Sequence, residues 1–188
     1  MEVQASHSPE QIEEATFAGG CFWCIETVFN QLKGVINAES GYSNGEHPAP
    51  AYDDVCTGRT GHAEVVRVRF DPRVVSYTQL LEVFFAIHDP TQLNRQGNDV
   101  GTQYRSGIYT HNAQQALQAR AILEQLSDTQ VYRAPVVTEV APVRNYHPAE
   151  PYHQRYFEQN PGQGYCAVVV APKVEKFQRT FAELLKPA

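Results

Sequence analysis

Long apolar runs are missing from this chain of 188 residues. None approaches the roughly 20 residues that a membrane-spanning helix needs, which excludes a helical membrane protein. An excess of positive charge is missing too. Lys and Arg number 15 against 21 Asp and Glu, a formal net charge of -6, whereas a nucleic-acid surface needs clustered cations. Cysteine is sparse: Cys21, Cys24, Cys56 and Cys166 are too few for a disulfide-stapled secreted scaffold of this length. A reducing, cytoplasmic compartment follows, in which a Cys-x-x-Cys pair does redox chemistry or binds metal. The first 14 residues lack the apolar core of a secretory signal and are expected to form a flexible, polar and acidic tail. Repeats, low-complexity segments and charge runs are absent, which leaves residues 15–188 as one domain. Hydrophobic residues at 42% and charged residues at 19% are those of a folded protein rather than a disordered one.

Within that domain strand-like and helix-like patterns alternate. Residues 15–18 read as a short apolar strand, broken by Gly19-Gly20. From Cys21 the residues Cys24, Ile25, Val28, Phe29 and Leu32 recur at helical spacing, and Gly34 ends that helix. Residues 65–70 alternate valine with arginine, the pattern of a half-exposed strand. A helix over 76–88 stopped by Pro90, a strand over 106–110, a helix over 112–126 and a strand over 136–140 follow. A short helix near 151–159, a very apolar strand over 166–171 and a helix over 173–185 complete the chain. The sum is an α/β sandwich of the α+β kind, a ferredoxin-like core with helices packed on a mixed, mainly antiparallel sheet. The loop-rich stretches 41–61 and 89–101 are long for a compact domain and are expected to carry function.

The chemistry concentrates at Gly19-Gly20-Cys21-Phe22-Trp23-Cys24. A helix N-terminus offers unpaired backbone N–H groups and partial positive charge. Both favour thiolate, so Cys21 is expected well below the free value of about 8.5. The two glycines allow a sharp turn and a close approach to the sulfur. A buried structural cysteine is the plainer alternative. Phe22 and Trp23 are core residues or the walls of an apolar pocket. Cys24, three residues on, suits a reversible dithiol or half of a zinc site. No second pair of ligands accompanies it, so no metal is expected. Glu64, just ahead of an apolar strand, is either a partly buried carboxyl kept protonated for acid catalysis or a solvated strand-edge residue. His62 is equally open. The polar, glycine-punctuated run 94–105 has the make-up of a substrate-binding loop.

These clusters together resemble the A-type peptide methionine sulfoxide reductases. The matching stretches are Gly-Gly-Cys-Phe-Trp-Cys at 19–24, Gly-Tyr-Ser-Asn-Gly at 41–45, Thr-Gly-His-Ala-Glu-Val-Val at 60–66 and Phe-Asp-Pro at 70–72. His-Asp-Pro-Thr at 88–91, the run 94–106, Tyr-His-Gln at 152–154 and Gly-Tyr-Cys at 164–166 continue the set. The resemblance implies that Cys21 attacks the sulfoxide and that Phe22 and Trp23 enclose its methyl group. It also implies that Glu64 is the acid, that Tyr52 and Tyr104 hold the sulfoxide oxygen, and that Asp99 helps position the substrate. By the same resemblance the chain takes the S epimer of methionine sulfoxide, free or in oxidised proteins and peptides, needs no cofactor, and is recycled by thioredoxin or a similar dithiol. Cys21 would pass through a sulfenic acid to a disulfide.

One departure bears on that disulfide. Many relatives have glycine where this chain has Cys24, and the second C-terminal cysteine of some relatives is missing here. Cys166 is expected to resolve oxidised Cys21 first, because Pro161-Gly162 and Gly164 suggest a flexible approach and burial would raise the Cys24 pKa. Cys24 is then the second choice or a later relay, and Cys56 is structural. A thioredoxin-like oxidoreductase using Cys21 and Cys24 alone would leave Glu64, the 94–104 loop and Cys166 without a role.

Overall fold

A computed structural model of the chain describes residues 11–187. Strand β1 (Glu13–Ala18) leads through helix α1 (Phe22–Asn30) to β2 (Val35–Ser43), and short helix α2 (Tyr52–Cys56) precedes β3 (Ala63–Phe70). Helix α3 (Tyr77–Ala86) is followed by a tight hairpin, β4 (Arg95–Gln96) and β5 (Asp99–Val100), then by β6 (Gly107–Thr110) and α4 (Ala113–Asp128). Strands β7 (Glu139–Pro142) and β8 (His147–Pro148), helix α5 (Tyr156–Gln159) and helix α6 (Ala171–Thr180) complete the order. Six strands form one sheet in the order β7-β6-β1-β3-β2-β8. All neighbours are antiparallel except β6 and β7, which pair in parallel. The expected mixed, mainly antiparallel sheet with packed helices is present.

Local chemistry explains the helix starts. Ser76 accepts the Gln79 N–H at 3.1 Å while the Gln79 side chain accepts the Ser76 N–H at 2.9 Å, a capping box. Asn112 accepts the Gln115 N–H at 2.8 Å to open α4. The core forms where α1 and α3 cover β1. Phe17 stacks between Phe29 at 5.3 Å and Phe84 at 5.1 Å, and all three are fully buried. Each such ring contributes about 1.5–3 kcal/mol by leaving water.

Four expectations change. Residues 1–10 of the expected tail lie outside the described residues, but Glu13 and Glu14 pair with Phe70 and Arg69 and so belong to the sheet. Strand β2 runs to Ser43, into the stretch read as loop from residue 41. Its inward residues Ala38, Ser40 and Tyr42 are small or polar, so the hydrophobic alternation is weak. The strand expected over 136–140 lies at Glu139–Pro142. The largest difference is at 166–171, where the valine-rich run is a π-helical turn, Cys166–Val170, continuous with α6. Only Cys166 and Val170 are buried in it, while Val168 is exposed. A one-sided apolar stripe suits a helix packed on α1, and tertiary packing overrides β-propensity there.

Candidate active site

The turn between β1 and α1 has no room for side chains. Gly20 has φ +88°, and a methyl group there would stand 2.7 Å from Gln96. One on Gly19 would lie 3.1 Å from His88 and Phe84. This close passage delivers Cys21, extended at φ -63° and ψ 125°, to the N-cap position of α1.

Strand alternation then places Glu64 on the same face of β3 as Val66, Val68 and Phe70, toward the helices. It is 2% exposed, and its Oε1 accepts the Phe22 N–H at 3.1 Å, one of the free donors of the helix start. Burial pushes its pKa up to about 8, with the Phe22 bond opposing, so the carboxyl is mostly protonated at neutral pH. The solvated strand-edge alternative is thereby excluded. Tyr52 from α2, Asp99 from β5 and Tyr104 from a 3-10 turn, Thr102–Tyr104, reach the same place. With Cys21, Phe22, Trp23, Glu64 and Tyr165 they line a cavity of about 180 Å³. The seven residues singled out as catalytic or substrate-binding candidates therefore meet in one pocket, and Tyr165 is the eighth.

Aromatic packing holds the walls. The Trp23 indole N–H donates to His153 Nδ1 at 3.1 Å, and its ring stacks on Tyr156 at 3.9 Å and 9°. The buried His153 ring also packs on Phe22 at 5.1 Å and Tyr52 at 4.5 Å. Glu150 accepts the Tyr42 hydroxyl at 2.8 Å and the Tyr52 N–H at 3.1 Å. Asp99 accepts the Tyr165 hydroxyl, which ties the hairpin to the C-terminal segment. Sequence reasoning missed His153, Tyr156, Glu150 and Tyr165 as site residues. The dense aromatics of 152–156 were the signal for His153 and Tyr156, but no spacing rule connects them to Trp23.

The thiols depart from expectation. Burial raises the Cys21 pKa well above the ordinary value, and a hydrogen bond with Cys24 and the Glu64 carboxylate act in the same direction. The helix N-terminus therefore does not by itself hold Cys21 as thiolate, because loss of solvation outweighs the nearby N–H groups. Cys24 is lowered instead, first by the hydrogen bond from Cys21 and further by the Lys173 ammonium, against its burial. Cys166 is fully buried in the core that contains Cys24, and Cys24 is the charged neighbour that raises its pKa beyond burial. Gly164 and Tyr165 are already helical, and the turn expected ahead of Cys166 is confined to Pro161-Gly162.

Other candidates lie outside the pocket. The buried His62 contacts the His47 carbonyl at 2.8 Å through Nε2, a structural arrangement. Cys56, expected to be structural, is exposed. The 94–105 run divides: Asp99 and Tyr104 line the pocket, while Arg95 donates to the Gly97 carbonyl and Gln96 bonds to both backbone groups of Asp89, holding the loop itself. Among the described residues no three His, Cys, Asp or Glu converge as a metal site. No described helix is long and apolar enough to cross a membrane.

A sequence profile described as peptide methionine sulfoxide reductase matches residues 13–185. The chain belongs to that family. A peptide methionine sulfoxide reductase MsrA of Polynucleobacter asymbioticus is 55% identical over 176 residues, 94% of this chain and 93% of the relative. The crystal structure of reduced Mxr1 from Saccharomyces cerevisiae is similar with a TM-score of 0.76 and 34% identity, over 86% of this chain and 92% of that one. A complex of Mxr1 with Trx2 shares the fold, with a TM-score of 0.54 and 24% identity over 80% of this chain and 88% of that one. The family's motifs thus surround the pocket itself.

Proposed function

We propose that this reductase converts methionine-S-sulfoxide, free or in proteins, to methionine, with Cys21 as nucleophile and Glu64 as the acid. One observation carries the assignment: a thiol and a buried, protonated carboxyl share a side-chain-sized pocket walled by Phe22 and Trp23. The sulfoxide oxygen accepts hydrogen bonds from Glu64, Tyr52 and Tyr104, which makes it a better leaving group. Asp99, through Tyr165, positions the substrate. Oxygen passes from the substrate sulfur to Cys21 as Glu64 gives its proton, and the thiol proton returns to the carboxylate. Thiol plus sulfoxide becomes sulfenic acid plus thioether, with no net proton consumed.

Cys24 resolves the sulfenic acid first. Its place in the same first turn, with the Cys24 N–H donating to the Cys21 carbonyl at 3.3 Å, and its lowered pKa favour this over Cys166, reversing the order expected from the sequence. Attack on the Cys21 sulfur releases water and forms Cys21–Cys24, feasible for two residues in the first turn of a helix. Cys166, beside Cys24, then takes the disulfide onward and frees Cys21. An external dithiol, thioredoxin or one like it, reduces Cys24–Cys166. The Trx2 complex of yeast Mxr1 supports that partner class, and the thiol chemistry fits a reducing cytoplasm. The strand order β6-β1-β3-β2, with α1 and α3 as crossovers, supports a ferredoxin-like reading of the core.

The test is peptide mapping after one equivalent of methionine sulfoxide without reductant. Wild type should show Cys21–Cys24 before Cys24–Cys166, Cys166→Ser should stop at Cys21–Cys24 formed at the wild-type rate, and Cys21→Ser should release no methionine. Turnover by Cys21→Ser sinks the mechanism. A Cys21–Cys166 disulfide formed at an unchanged rate in Cys24→Ser restores the opposite order.

A further inference from the structure

Gln96, whose side chain covers Gly20, also lines a separate cavity of about 700 Å³ between α3, the loop after α4 and α6. None of the residues that line the Cys21 pocket lines it. We propose that this cavity is a binding site for a small amphipathic carboxylate, an aryl or alkyl body ending in one anionic head.

Its volume falls within the roughly 300–1,000 Å³ of small-molecule sites. The lining divides by chemistry. Phe85 and Phe177 are buried, and Phe181, Ile87 and Ala134 extend an apolar wall. Lys173, Lys176 and Arg133 also line it, and none of the three makes an ion pair among the described residues. The lining's carboxylate, Asp89, has Oδ1 occupied by the Thr91 N–H at 2.9 Å and the Thr91 hydroxyl at 2.6 Å. His88 adds no charge. Both its ring nitrogens are engaged, with the Phe84 carbonyl at 2.6 Å and the Ser106 hydroxyl at 2.8 Å, and burial holds it down at about 4. Three cations against one occupied carboxylate, on a chain of net charge -6, are complementary to an anion.

The cavity is also held open. The Tyr132 hydroxyl donates to the Phe85 carbonyl at 3.2 Å, and the Val137 N–H donates to the Pro90 carbonyl at 2.8 Å. These bonds tie the loop to the C-terminal end of α3, so a ligand would not have to order it. Lys176 and Arg133 are exposed at the rim, while Phe85 and Phe177 lie inside. That gradient orients the occupant with its apolar body inward and its head outward.

Isothermal titration calorimetry with 4-phenylbutanoate, alongside the uncharged 4-phenylbutan-1-ol, tests the site on the full chain. One saturable site is expected for the acid, with the alcohol weaker by about tenfold or more, the scale of a lost charged hydrogen bond. Lys176→Gln combined with Arg133→Gln should weaken the acid similarly. Ala86→Trp, at an exposed lining position, should abolish binding while leaving methionine release at the wild-type rate. Thr180→Trp on the opposite wall should do the same, so a misfolded single variant cannot decide the outcome. No saturable heat, equal affinity for acid and alcohol, or wild-type binding in both tryptophan variants would overturn the proposal. So would an acidic peptide that displaces phenylbutanoate with higher affinity.

Discussion

Two buried glutamates, Glu26 within helix α1 and Glu64 on β3, differ in what they face. Glu64 and Glu26 are 2% and 1% exposed, and both accept a backbone N–H. Burial raises both, Glu64 to about 8 and Glu26 to about 7. A raised pKa therefore does not distinguish an acid catalyst from a structural carboxyl. Surroundings do. Glu64 lines the pocket with Cys21, whereas Glu26 takes the Arg155 N–H with both oxygens, at 2.8 and 3.0 Å. Arg155 is left-handed at φ 54°, and the next residue, Tyr156, is the one stacked on Trp23. In the proposed reaction one glutamate supplies a proton at the reacting atoms; the other holds the wall behind them.

The sharpest way to break that contrast is to replace each with glutamine. Glu64→Gln should slow single-turnover methionine release by about 10²–10⁴-fold, the usual contribution of a positioned acid. Glu26→Gln should leave that rate nearly unchanged. In wild type the rate should fall as pH rises through about 8, where Glu64 loses its proton, and Glu26→Gln should keep that profile. Stopped-flow rates across pH decide, and equal losses in the two variants would erase the distinction.

Stability separates the pair less steeply. Both carboxyls hold their proton to higher pH when folded than at the ordinary value of 4.5. The folded state thus binds more protons above pH 4.5, so this contribution is full below that pH and lost as pH rises through about 7 and 8. Glu26→Gln should match wild type near pH 4 and exceed its Tm at pH 9 by roughly 5 °C, a few kcal/mol over a chain of this size. Thermal unfolding at the two pH values reads the difference, and parallel curves would count against a buried, ionising Glu26.

The smallest effect is expected at the far end of the wall. His153→Leu removes the acceptor of the Trp23 indole. The value of one hydrogen bond, 0.5–1.5 kcal/mol, should raise KM for a sulfoxide peptide by about 2–10-fold with kcat little changed. A fall in kcat with KM unchanged would place His153 in the chemistry rather than behind it.

Local pattern made much of this legible. The helix from Cys21, the valine–arginine strand, the helix starts at Ser76 and Asn112 and the Gly-Gly turn all depend on neighbours within a few residues, where periodicity and local turn chemistry act. The pocket candidates were legible through the ordered motifs, without any indication of how they meet. Where patterns conflict with distant packing they mislead. The valines after Cys166 carry strand propensity, yet α1 leaves a surface that a one-sided helix fills.

The sequence by itself determined which residues carry chemistry and which short segments are helix or strand, because those properties are written in side-chain type and near spacing. Only the tertiary structure decided their protonation and partners. Glu64 holds its proton because β3 buries it under α1, and Cys21 keeps its own because the same burial removes water. The Cys24 N–H donates to the Cys21 carbonyl, Cys166 is buried in the core that contains Cys24, and His153 holds an indole 130 residues away. Solvation and long-range contact set these outcomes, and both arise only once the chain has closed on itself.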